Sequence, residues 1–79
     1  MITIYSRDGC SYCEKFIAIV EFEKLEHIIY RLDKDFTRKE FYEKFGKGTR
    51  FPQILFDDIR LGGCRDSIKY LRENNICCK

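Results

Sequence analysis

The sequence predicts an α/β domain, a mixed four-stranded sheet flanked by three helices in the order β-α-β-α-β-β-α. The first 32 residues run strand, helix, strand, which is a βαβ unit. Complete helix-start signals then cluster around Thr37. Beyond Gly46, two short extended runs joined by Asp57-Asp58 precede a final amphipathic stretch.

Residues 2–6, Ile-Thr-Ile-Tyr-Ser, alternate and are rich in β-branched side chains, a strand pattern. Arg7-Asp8-Gly9 ends it with turn chemistry. From residue 11 to residue 25 the spacing becomes helical, with Cys13, Phe16, Ile17 and Val20 at i, i+3, i+4 and i+7 on one apolar face. Residues 28–32 form the second predicted strand, parallel to the first through a right-handed crossover. Thr37 and Glu40 form a capping box, and Phe36 and Phe41 stand at the staple positions. Phe45 continues that stripe and Gly46 closes the helix. Residues 53–56 and 59–61 read as antiparallel strands around a tight turn. Gly62-Gly63 follows, then a helix over residues 65–73 that buries Ile68 and Leu71 and stops at Asn74-Asn75.

With 79 residues there is room for one domain, residues 1–79, and no repeat or linker interrupts it. Hydrophobic residues make up 44% and charged residues 35%, the balance of a folded domain with a solvated exterior. Fifteen Lys and Arg against thirteen Asp and Glu leave a net charge of +2, which argues against a nucleic-acid binder or a polybasic membrane binder. No apolar run approaches the roughly 20 residues of a membrane span. The opening Met1-Ile2-Thr3-Ile4-Tyr5 lacks the basic start of a secretion signal, so a cytoplasmic protein is expected.

Five cysteines, Cys10, Cys13, Cys64, Cys77 and Cys78, exceed what packing needs, and their odd number leaves a thiol outside any closed disulfide framework. Cys10-Ser11-Tyr12-Cys13 is a C-x-x-C at a strand-to-helix junction. Orphan amides and the helix dipole favour negative charge at that place. They predict a lowered pKa and a nucleophilic thiolate at Cys10, with Cys13 one turn inward as its resolving partner. Arg7 adds positive charge nearby and Asp8 opposes it. A C-x-x-C can also be half of a zinc site, whose other two ligands would come from His27, Cys64, Cys77 or Cys78. No second C-x-x-C exists, and the position at a helix start in a βαβ unit favours redox chemistry, with no metal site. Cys64 reads as a partly buried small residue, Cys77 and Cys78 as free tail thiols, and His27 as a surface residue ending the first helix.

Three segments together resemble a dithiol glutaredoxin of short bacterial or phage form: Tyr5 to Cys13, Phe51-Pro52-Gln53-Ile54, and Gly62-Gly63-Cys64-Arg65-Asp66. The resemblance covers nearly the whole chain in order. It implies the thioredoxin fold and glutathione-dependent thiol–disulfide exchange, with glutathione as co-substrate and no tightly bound cofactor. The partners it implies are glutathione and disulfide or glutathionylated proteins, ribonucleotide reductase among them, met by a monomer. By position, Cys10 matches the nucleophile and Cys13 the resolving cysteine. Tyr12 matches the aromatic flanking the glutathione sulfur, and Arg7 and Lys39 match cations that meet its glycine carboxylate. Pro52 matches a cis-proline, and Phe51 the residue whose backbone pairs with the cysteinyl unit. Gly63, Arg65 and Asp66 match the receiving end for the γ-glutamyl unit. Ser11 stands where Pro is common, a change that alters redox poise and is shared with relatives that bridge a [2Fe–2S] cluster through glutathione. Arg50-Phe51-Pro52 stands where Thr-Val-Pro is usual, and the large Phe51 is expected to narrow the groove. Two further readings follow: a redoxin recharged by thioredoxin reductase, and a glutathione-bridged [2Fe–2S] carrier.

Overall fold

The computed structural model describes residues 1–77. Its elements are β1 (Ile2–Ser6), α1 (Ser11–Phe22), β2 (His27–Arg31), α2 (Arg38–Phe45), β3 (Gln53–Phe56), β4 (Ile59–Gly62) and α3 (Cys64–Glu73). The sheet order is β2-β1-β3-β4. β1 runs parallel to β2 and antiparallel to β3, and β3 is antiparallel to β4 with a register irregularity between Ile54 and Leu55. This is the expected mixed sheet with three helices.

The period of two along the central strands sorts side chains onto opposite faces. Ile2 and Ile4 of β1 and Ile54 of β3 join Phe16, Val20 and Leu71 in a core beneath α1 and α3. Tyr5 of β1 and Leu55 of β3 face the other way, into a second core with Phe36, Phe41 and Phe45 under α2. That second core is built from rings. Phe36 and Phe41 stack with centroids 5.7 Å apart, Tyr5 meets Phe45 edge-on at 5.0 Å, and Phe41 stacks on Phe51 at 4.2 Å.

Helix α2 forms where the sequence announces it. Thr37 Oγ1 accepts from the Glu40 amide at 3.1 Å, and Glu40 Oε1 accepts from the Thr37 amide at 2.9 Å, so two orphan donors are satisfied reciprocally. Gly46 ends the helix at φ 104°, a conformation that a side chain would strain. Arg60 donates through Nη2 to the Phe45 carbonyl at 3.1 Å, placing a cation at the negative end of the helix.

Strand β4 runs one residue further than expected, to Gly62, β2 ends one residue early, at Arg31, and other boundaries and environments also differ. Helix α1 stops at Phe22, not residue 25, because Lys24 turns to φ 56° and the Leu25 amide folds back to the Val20 carbonyl at 2.9 Å. Strand β2 therefore starts one residue early, at His27, which lies half-buried in the strand instead of at a helix end, its Nδ1 2.7 Å from the Leu25 carbonyl. Helix α3 starts at Cys64, not Arg65. Cys77 is buried and disulfide-bonded, not a free thiol; Cys78 lies outside the described residues.

Cys64 belongs to the core beneath α1 and α3. Burial pushes its thiol pKa up, since burial disfavours the thiolate, and the positive charge of Lys15 opposes this more weakly. No helix among the described residues is long and apolar enough to cross a membrane.

Phe41→Ala is expected to destabilise the fold by about 3–5 kcal/mol, because it removes a fully enclosed ring. Thr37→Ala should cost about 1 kcal/mol through the lost cap. Urea midpoints at constant m-value check both. For Cys64 the unfolded thiol ionises first as pH rises, so the burial effect leaves stability intact below about pH 9 and removes it as pH climbs past the unfolded pKa. Alkylation at pH 8 should be many times slower at Cys64 in the folded protein than in urea, as read by mass spectrometry; equal rates would contradict the burial.

Candidate active site

β1 ends at Ser6, which is wholly buried and donates from Oγ to the Tyr30 carbonyl at 3.1 Å. The chain then turns through Gly9, at φ 69°, and enters α1 with Cys10 as its N-cap, in extended conformation at φ −104° and ψ 106°. A sulfur takes the place that a Ser, Asp or Asn oxygen usually fills. Cys10 Sγ accepts from the Cys13 amide at 3.2 Å, while the Cys10 carbonyl accepts from the Glu14 amide at 3.1 Å. Cys10 and Cys13 are joined as a disulfide with Cα atoms 5.2 Å apart, inside the usual range for such a bridge. Cys10 is 5% exposed and Cys13 1%, so the second sulfur is the deeper of the two.

Tyr12, between them, is 63% exposed and projects from the first turn. Arg7 donates through Nη1 to the Asp8 backbone carbonyl at 3.0 Å, so the guanidinium is turned onto the main chain of the turn and not onto the Asp8 carboxylate. The Phe51–Pro52 peptide bond is cis. The Phe51 ring lies on Phe41 at 4.2 Å, in the second core, so its bulk is taken up by α2 and not by the groove it was expected to narrow. Gly62 adopts φ 94°, and a Cβ there would stand 3.3 Å from Asp66 Oδ2, so this position needs glycine for its backbone. Gly63 brings the cis-proline loop to α3: a Cβ on it would lie 3.8 Å from the Pro52 carbonyl oxygen. Gly63 is also the N-cap of α3 and supplies no side-chain hydrogen bond.

Tyr12, Gly63, Arg65 and Asp66 line a single groove of about 850 Å³, together with Lys15 and Cys64. Thus the structure gathers four of the predicted binding residues in one groove between α1 and α3, with the Pro52 carbonyl close to Gly63. Lys39 does not line this groove; it is exposed in the first turn of α2. The α2 cation that meets the cis-proline segment is Arg38, 6.0 Å from the Phe51 ring centroid. Sequence reasoning also passed over Lys15 and Lys69, both in the groove. The signal was present: Lys15 is three residues after Tyr12 on α1, and Lys69 is four after Arg65 on α3. Among the described residues, no cluster of three or more His, Cys, Asp and Glu side chains is placed to hold a metal ion.

This arrangement can carry out thiol–disulfide exchange, and comparison with known proteins agrees. The glutaredoxin family profile matches residues 2–60. A probable glutaredoxin of Synechocystis is 33% identical over 66 residues, covering 82% of this chain and 75% of that protein. Glutaredoxin 1 of Rickettsia prowazekii is 29% identical over 80 residues, covering 95% and 81%. Among solved structures, glutaredoxin 1 from Francisella tularensis, crystallised with cacodylate, superposes with a TM-score of 0.73 at 26% identity, covering 95% of this chain and 94% of that one. A buckwheat glutaredoxin–glutathione complex shares the fold at a TM-score of 0.75 and 16% identity, covering 95% and 71%. A disulfide-forming C-x-x-C at the head of α1 in this fold, within a chain matched by that profile over most of its length, makes the protein a thiol–disulfide oxidoreductase that belongs to the glutaredoxin family.

Proposed function

We propose that this protein is a glutathione-dependent oxidoreductase that reduces glutathionylated and disulfide-bonded targets through a mixed disulfide between Cys10 and glutathione. The observation that carries this reading is Cys10 sulfur at the N-cap of α1, accepting the Cys13 amide at 3.2 Å. In the reduced protein that amide becomes a charge-assisted donor to a thiolate, and the helix dipole favours the same charge. Both effects favour the nucleophilic form of Cys10 near neutral pH.

The Cys10 thiolate attacks the glutathione sulfur of a glutathionylated target. The Cys10–glutathione bond forms, the old disulfide breaks, and the target leaves as a thiolate that takes a proton from water. A second glutathione thiolate then attacks the glutathione sulfur of the mixed disulfide. Oxidised glutathione leaves and the Cys10 thiolate returns. With a protein disulfide, Cys10 bonds to one target sulfur and releases the other. Cys13 then attacks Cys10 Sγ, freeing the second target thiol and closing the Cys10–Cys13 disulfide. Two glutathione molecules reopen it.

We assign the binding groups by chemistry. The unoccupied cap position at Gly63 leaves the first amides of α3, from Arg65 onward, for the γ-glutamyl carboxylate, and Asp66 suits its ammonium group. Tyr12 flanks the sulfur, and the Phe51 backbone before cis-Pro52 pairs with the cysteinyl unit. Arg7 and Lys39 are the cations for the glycine carboxylate. The cycle needs a pool of reduced glutathione, and we place the protein in the cytoplasm, acting as a monomer.

Cys10→Ser should reduce turnover of a glutathionylated peptide, with glutathione, glutathione reductase and NADPH, to the uncatalysed rate; retained turnover would refute the assignment. Cys13→Ser should keep that activity and lose reduction of protein disulfides, which needs both sulfurs. Asp66→Asn should raise KM for the glutathionylated substrate about tenfold, the effect of losing one charge-assisted bond, with kcat little changed. An unaltered KM would remove Asp66 from the site.

A further inference from the structure

The groove lined by Tyr12 concentrates positive charge, although the net charge of the chain is only +2. Among the described residues, Lys15, Arg65, Lys69 and Arg72 line it with one carboxylate, Asp66, and Arg72 has a partner of its own. The cleft of about 540 Å³ beside α2 has the opposite sign, lined by Asp35, Glu40 and Glu43 against Lys44. The two clefts therefore differ in sign, and the basic one is lined by Tyr12, which stands between Cys10 and Cys13 in the chain.

The cations form a track with direction. Arg65, Lys69 and Arg72 stand at i, i+4 and i+7 of α3, one face of the helix. Seven residues of helix rise about 10 Å, the length of about three residues of extended chain. Lys15 faces them from α1, one turn beyond Tyr12. Lys15, Lys69 and Arg65 are exposed. Among the described residues, neither Lys15 nor Lys69 lies within ion-pair distance of a carboxylate. Their charge is open to a visiting molecule.

We infer that the groove between α1 and α3 is a docking track for target polypeptides that carry acidic side chains within about three residues of the cysteine being reduced. This deepens the proposed function by naming its substrate class, but it rests only on disulfide exchange at Cys10 and not on the use of glutathione. The reacting cysteine meets Cys10 at the Tyr12 end, and the flanking carboxylates run along Lys15, Lys69 and the α3 stripe. Acidic targets are drawn in by the field and held in register by the track.

The test uses the reduced protein without glutathione. Three cysteine peptides of one length, with acidic, neutral or basic flanks, are each presented as a disulfide with 2-nitro-5-thiobenzoate. Cys10 thiolate attacks the peptide sulfur and the coloured thiobenzoate leaves as a thiolate. Cys13 then attacks Cys10 Sγ, releasing the peptide thiol and closing the Cys10–Cys13 disulfide. The second-order rate of colour release, divided by that of the neutral peptide, is the readout. The acidic peptide should react about tenfold faster than the basic one at low salt. The difference should shrink toward unity near 1 M salt, where the screening length falls to about 3 Å. K15E/K69E should reverse the order, and K15Q/K69Q should weaken it. Because each rate is scaled to the neutral peptide, a general loss of reactivity does not alter the ratios. Equal rates for acidic and basic peptides in the native protein, or a preference that both double variants retain, would overturn the inference. Failure of the glutathione-coupled assay with a preserved charge preference here would count against the glutathione reading alone.

Discussion

β1 is hydrogen-bonded along both edges, in parallel to β2 and antiparallel to β3, while its side chains alternate between two cores. Ile2 and Ile4 point toward α1 and α3, and Tyr5 points toward α2. The rest of the molecule is arranged around this double commitment. A one-residue slip would turn isoleucines into the aromatic core and Tyr5 into the aliphatic one, so register is held by packing on both faces at once. Because register is held, the end of β1 is held too, and the next residues carry the chain through the Gly9 turn to Cys10.

The site is a meeting of chain ends. The start of α1 supplies the N-cap sulfur, the loop before β3 supplies the cis-proline, and the start of α3 supplies an uncapped turn at Gly63. Each of these is a place where backbone hydrogen-bonding groups are left over from regular structure. Sulfur chemistry uses that surplus: an amide that a strand or helix interior would have consumed is free to meet Cys10 Sγ. The aromatic core extends to the same place. Through the Phe41–Phe51 stack, α2 holds the residue before the cis-proline, and Arg38 lies over the same ring. A helix on the far face of the sheet thus takes part in shaping the reactive edge.

Charge follows the same division by faces. The basic residues of α1 and α3 lie along the groove, while the cleft beside α2 is lined by Asp35, Glu40 and Glu43 against Lys44. Nearly balanced composition therefore conceals clefts of opposite sign, and composition alone argues only against partners that need a large uniform charge.

Much of this was legible in the sequence, because the relevant signals are local. The alternation of residues 2–6, the Thr37–Glu40 capping box, the Asp57-Asp58 turn and the C-x-x-C at a helix start depend on neighbours a few positions apart, and the structure contains each of them. What the sequence could not decide concerns residues distant in the chain. Helix α1 ends early because Lys24 adopts a left-handed conformation, which intrinsic propensity disfavours and the packing of Leu25 against the core supports. Phe51 turns onto α2 because Phe41, ten residues earlier, offers a ring face at stacking distance. Lys15 and Lys69 share a groove only because α1 and α3 lie on the same side of the sheet. Local hydrogen bonding and hydrophobic period determined which elements form and where the nucleophile sits. Which rings, charges and loops face one another was decided by tertiary packing, since it brings together side chains that no short-range pattern relates.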